Sequence, residues 1–148
     1  MINYFNAAEN TLRGRGVLEA ALENMERRKA AILAAGSPAE YQSPDFSKVY
    51  SSAGAINDAL AHCLDLCEVV KEIEATKEAI REIDRVIRQL TKAERDMIRL
   101  WYIERKPKDE IAAELHYSSS KSVYELRNRA VAEFAVRYFG AGALSSIK

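Results

Sequence analysis

The 148 residues carry 22 Lys/Arg and 22 Asp/Glu for a formal net charge of zero, with 48% hydrophobic and 30% charged positions. That balance suits a soluble, folded chain of one domain or two very small ones and excludes a disordered one. No apolar run approaches the ~20 residues of a membrane span, and the opening Met1-Ile2-Asn3-Tyr4-Phe5 lacks the pattern of a signal peptide, so the expected place is the cytoplasm, with no membrane partner.

Residues 4 to 35 read as helix, because Leu18, Leu22, Met25 and Ile32 return to one face at spacings of four, three and seven. Gly14 and Gly16 weaken its first part by about 1 kcal/mol each relative to alanine, which leaves open a kink or a start nearer Val17. From Gly36 to about residue 55 the composition turns to Gly, Ser, Pro, Tyr and Ala, with Ser37-Pro38 and Ser43-Pro44 as breakers, and a loop over 36–55 is expected.

The next helix carries the clearest pattern of the first ninety residues. Leu66, Val69, Ile73, Thr76, Ile80, Ile83, Ile87 and Leu90 alternate at three and four, an a/d seam sustained over three heptads. Beside it stand Glu68–Lys71, Glu74–Lys77, Glu78–Arg81 and Glu82–Arg85, each spaced i,i+3 and each worth about 0.2–0.5 kcal/mol. Before Leu66 the apolar set broadens to Ile56, Leu60, Cys63, Leu64 and Cys67, which predicts deeper burial at that end. The seam packs on the first helix as an antiparallel hairpin, or it also pairs two copies; since a lone hairpin buries little, a homodimer is the expectation.

Thr91-Lys92-Ala93-Glu94 has the spacing of a capping box and starts a new helix to about Glu104, with Ile98, Trp101 and Tyr102 placed to anchor a small core. Arg105-Lys106-Pro107 breaks the chain, and Asp109 and Glu110 complement the positive end of the helix that follows to Leu115. A turn through His116-Tyr117-Ser118 leads to a last helix from Ser119 or Ser120 to about Phe139, stopped by Gly140, with a loose tail from Ala141 to Lys148.

Ile111, Ala112 and Leu115, then Val123, Leu126, Ala130 and Phe134, supply the inner faces of a helix-turn-helix, with Ala112 small enough for the crossing. Ser119, Ser120, Lys121, Tyr124, Arg127 and Asn128 remain for the outer, N-terminal face of the second helix, which in this geometry enters the major groove. Hydroxyls and an amide suit base edges, and cations suit phosphate or guanine. Charge agrees in sign: residues 1–90 carry 11 Lys/Arg against 14 Asp/Glu (−3), and residues 91–148 carry 11 against 8 (+3). The expected phosphate contacts are Lys106, Lys108, Lys121, Arg127 and Arg129, and specificity is expected from Ser119, Ser120, Tyr124 and Asn128.

Leu90 to Tyr102, Glu110-Ile111-Ala112-Ala113-Glu114-Leu115 and Ser118 to Ala130 resemble sigma-factor region four over about fifty residues. The whole chain is similar to small phage or prophage regulators of the ArpU/RinA kind, which set a long helical segment before such a domain. The resemblance implies promoter DNA binding, contact with RNA polymerase and control of late phage genes. His116 stands where the family has glycine, a position that calls for positive φ, and Tyr117–Ser122 is one residue longer than the family spacing.

The combined expectation is an all-α chain: a helical hairpin or coiled coil over 1–90, dimerising or docking on a partner through Leu66, Val69, Ile73, Ile80, Ile83 and Ile87, then a trihelical helix-turn-helix domain over 91–140. Its role would be transcriptional regulation on double-stranded DNA; the alternatives are recognition in phage DNA packaging or a protein-interaction module. No cofactor is expected. Two cysteines make no disulfide framework, and His62, Cys63 and Cys67 in an apolar stripe read as core, short of the four ligands of a structural zinc site. With no Gly-rich phosphate loop and no nucleophile beside a base, an enzyme is not expected.

Overall fold

A computed structural model describes residues 2–35 and 52–145, with side chains from Ile56 onward in the second stretch. The described residues are all-α. In chain order they form α1 (Tyr4–Ala35), α2 (Ser52–Arg88), α3 (Lys92–Ile98), a π-helical segment (Arg99–Ile103), α4 (Lys108–Glu114), α5 (Ser120–Phe139) and α6 (Ala141–Leu144). No helix among them is long and apolar enough to cross a membrane.

The chain forms two compact units, and both long helices contribute to each: Met1–Glu19 with Ala79–Lys148, and Ala20–Glu78. The packing therefore divides at Glu19 and Glu78 rather than at the 90/91 junction. The cause is the core of the first unit, where Ala8 and Leu12 of α1 and Ile83 of α2 are buried in one cluster with Ile98, Tyr102, Ala130 and Phe134. Burying a side chain the size of Leu12 or Phe134 contributes about 1.5–3 kcal/mol, so the ends of the long helices belong energetically with the C-terminal residues.

α1 opens on Asn3, whose Oδ1 accepts from the Asn6 amide at 3.1 Å, and it runs through Gly14 and Gly16, so the start at Tyr4 holds and the later one does not. Arg15 joins α1 to α2 in the first unit, its Nε and Nη2 donating to the two Asp84 carboxylate oxygens at 2.6 and 3.0 Å. That bond raises the guanidinium pKa, outweighing partial burial, which lowers it.

In the second unit Lys77 Nζ lies 3.7 Å from Glu26 Oε1, and Met25, Arg28 and Ile32 border a groove with Asp65, Glu68, Val69 and Glu72. Later α1 residues thus meet earlier α2 residues, as in an antiparallel hairpin. The heptad seam is buried within this one chain: Val69, Ile73, Thr76, Ile83 and Leu90 are buried, and Leu66, Ile80 and Ile87 half-buried. Thr76 satisfies its hydroxyl on the Glu72 carbonyl at 2.7 Å. Of the flanking i,i+3 pairs, Glu74–Lys77 is present at 3.8 Å.

Three expectations are corrected. The loop expected over 36–55 ends earlier, because α2 starts at Ser52; residues 36–51 lie outside the described residues. The start of α2 is not deeply buried: Ile56, Leu60 and Leu64 are exposed, as are Cys63 and Cys67, because an apolar face is buried only where another element covers it. The tail is partly ordered into α6, which buries Ala143, while residues 146–148 lie outside the described residues.

Candidate nucleic-acid interface

The Thr91 cap forms as its spacing predicts, Oγ1 accepting from the Glu94 amide at 3.3 Å. α3 does not continue regularly to Glu104. Its last turn widens, the Glu104 amide bonding the Arg99 carbonyl five residues back at 2.8 Å. The extra residue changes the angle between successive side chains, and three neighbours share the packing. Leu100 faces a cluster of Met97, Ile111, Val123 and Leu126, Tyr102 faces the cluster containing Ala8 and Phe134, and Trp101 packs against both. The Tyr102 hydroxyl donates to Glu9 Oε1 at 2.7 Å, and burial, with that bond, pushes the phenol above its ordinary range.

After Arg105 (φ 54), the Lys106 amide bonds back to the Leu100 carbonyl at 2.9 Å, and Pro107 caps α4. α4 ends in a Schellman motif. The Tyr117 amide bonds the Ala112 carbonyl at 2.8 Å, the His116 amide bonds that of Ala113 at 3.3 Å, and His116 sits at φ 60. His116 therefore takes the left-handed conformation expected at this turn position. Ala112, Leu115 and Tyr117 pack under the turn, and α5 restarts from Ser119, an extended N-cap whose hydroxyl lies 3.3 Å from that of Ser122.

α5 has two chemically distinct sides. Val123, Leu126, Ala130 and Phe134 are buried, and Lys121, Tyr124, Glu125 and Asn128 are exposed opposite them. The Lys121 side chain is 85% exposed, with its ammonium 4.0 Å from the Glu125 carboxylate one turn on. Ser120 is exposed at the helix start, and Lys108 lies 5.9 Å from the Tyr124 ring centroid. Arg129 is exposed beside a shallow hollow that it lines with Tyr117, Ser122, Glu125 and Leu126.

Two of the expected phosphate contacts are engaged inside the chain. The Arg127 guanidinium lies over Trp101 (5.0 Å) and beside Tyr124 (5.5 Å), with Trp101 and Tyr124 edge to face. It also donates to Asn128 Oδ1 at 2.8 and 3.2 Å and sits 4.0 Å from Glu9, so it acts as a strut between α5 and its neighbours. Lys106 donates to Glu114 at 3.1 Å, which raises its pKa and closes the break before α4. Lys108, Lys121 and Arg129 are the outward cations of the expected set.

Sequence reasoning missed a further group at the α2–α3 junction. Arg85, Arg88, Lys92 and Arg95 are all exposed, and Arg95 Nη1 donates to the Arg88 carbonyl at 3.3 Å. The signal is the spacing of three and four between these cations, a pattern that reads equally well as the solvated flank of a helix. No cluster of three or more His, Cys, Asp or Glu among the described residues is arranged to hold a metal ion. No family model, curated protein or solved structure matches the chain.

Proposed function

We propose that α4, the His116 turn and α5 form a helix-turn-helix that reads duplex DNA, and that the protein is a transcriptional regulator of the phage or prophage kind. The observation that carries this reading is the division of α5. A buried apolar side fixes the helix, and it leaves Ser120, Lys121, Tyr124 and Asn128 exposed opposite or beside it. Such a face offers hydroxyl and amide groups to base edges and an unburied ammonium to phosphate. Polymerase contact belongs to the same proposal and rests on the sigma-like sequence alone.

In this account Lys108, Lys121 and Arg129 neutralise phosphate, and Tyr124, Ser119, Ser120 and Asn128 meet the groove. Arg127 and Lys106 act through the positions they hold. Selection of bound sequences from a random duplex pool tests the reading. Enrichment of a defined site, lost in Asn128→Ala and Tyr124→Ala proteins, supports it. Recovery of no preferred site would favour the alternative of a protein-binding face.

A further inference from the structure

A second apolar row runs along α2, apart from the one that packs inward. Ile56, Leu60, Cys63, Cys67 and Val70 recur at four, three, four and three residues, the spacing of a helix that meets another helix. At about 100° per residue this row lies roughly a third of a turn from Leu66, Val69 and Ile73. All five residues are exposed: Ile56 by 64%, Leu60 by 58%, and Leu64 beside them by 58%. The row ends where its next two positions become Glu74 and Lys77.

We propose that this row is a homodimer interface, α2 of one copy packing on α2 of a second copy. Complete coverage of these six side chains removes roughly 500 Å² from each copy, or about 1,000 Å² per pair, the minimum expected of a biological interface. No position of the row itself is charged; exposed Lys71 flanks it on the Leu64 side, and Asp58, Asp65 and Glu68 fall away from it around the helix. A two-fold axis makes one patch serve both copies, and an apolar row is complementary to itself under that symmetry. Cys63 is the middle position of the row, so pairing that buries the whole row brings the cysteines of the two copies close together. The heptad seam of Leu66 to Leu90 stays inside each copy. The inference stands whether or not α5 meets DNA.

Mass measurement by light scattering on the full chain tests it, with a Leu60→Glu/Leu64→Glu protein alongside. The wild type is expected at twice the chain mass, dissociating on dilution. The double variant is expected at the chain mass with unchanged helical circular dichroism, since both side chains are exposed. A short bis-maleimide should join wild-type chains through Cys63 or Cys67 and leave the double variant single. A wild type that is monomeric at every concentration, or a double variant that remains dimeric, overturns the proposal. Should the double variant lose helicity, the wild-type cross-link decides, and failure to form a dimer through these cysteines overturns it.

Discussion

The Tyr102 hydroxyl donates to the Glu9 carboxylate at 2.7 Å, joining the π-helical segment to α1 across 93 positions of sequence. Arg13 lies 3.6 Å and Arg127 4.0 Å from the same carboxylate, so one buried acid ties α1, the widened turn and α5 together. Removing the phenolic oxygen in Tyr102→Phe should cost about 1.5–3 kcal/mol, the range for a hydrogen bond to a charged group, seen as a lower midpoint in urea. An unchanged midpoint would show that the bond contributes nothing net.

The same phenol makes alkaline stability testable. Its folded pKa is raised above the ordinary value of 10.0, so the fold favours the neutral form. The contribution is complete below pH 10 and is lost as pH rises beyond it towards the folded pKa. The Tyr102→Phe protein should lose less stability than the wild type between neutral pH and that alkaline window. Parallel curves for the two proteins would contradict this.

His116 holds a left-handed conformation, φ 60, that costs a non-glycine residue about 1–2 kcal/mol. His116→Gly should therefore stabilise the fold by about 1 kcal/mol, less the extra chain entropy of glycine, and His116→Val should destabilise it. Thermal melts of the two variants give the order; a glycine variant that melts below the valine variant would be the opposite result.

Lys121→Ala should weaken binding to every DNA sequence and lower the salt slope by about 0.9, with no change in melting. Arg127→Ala should behave differently. It removes a guanidinium that lies near the faces of both Trp101 and Tyr124 and should cost stability, about 0.5–2 kcal/mol for each of the two cation–ring interactions. Melts and binding measured on both variants separate the strut from the phosphate ligand.

Glu114 occupies the ammonium of Lys106 at 3.1 Å. The Glu114→Gln protein should bind DNA more tightly, because it removes an anion near the interface and releases a cation for phosphate. Weaker binding would mean that the Lys106–Glu114 pair is needed to set the position of α4.

Local pattern made much of the fold legible. The end of α1, the Thr91 cap and the Gly140 stop each depend on residues within one or two turns, whereas the left-handed need at His116 is suggested only by the resemblance. The widened turn at Arg99–Ile103 was hidden, because one extra residue leaves apolar periodicity almost intact. The exposure of Ile56, Leu60 and Leu64 is not legible in the sequence, because composition records what a face could bury, not what covers it. Within the candidate site, residue type identified the cations, but only tertiary placement could sort Arg127 and Lys106 from Lys121. Trp101 stands 26 residues from Arg127 in the chain, and Glu114 stands 8 residues from Lys106. The grouping of the α1 start and the α2 end with the C-terminal core was likewise non-local, since residues 8, 83 and 134 meet only in the folded chain.

The most direct test is the affinity of the purified protein for duplex DNA across a salt series. Three outward cations, Lys108, Lys121 and Arg129, predict that log affinity falls by about 2.7 for each tenfold rise in salt, counted per chain. Five phosphate contacts would give a slope of about 4.5 by the same counter-ion count and would bring two further cations into the interface, from Lys106 and Arg127 or from the α2–α3 group. No binding at low salt would contradict the account and leave α5 as a face for another protein.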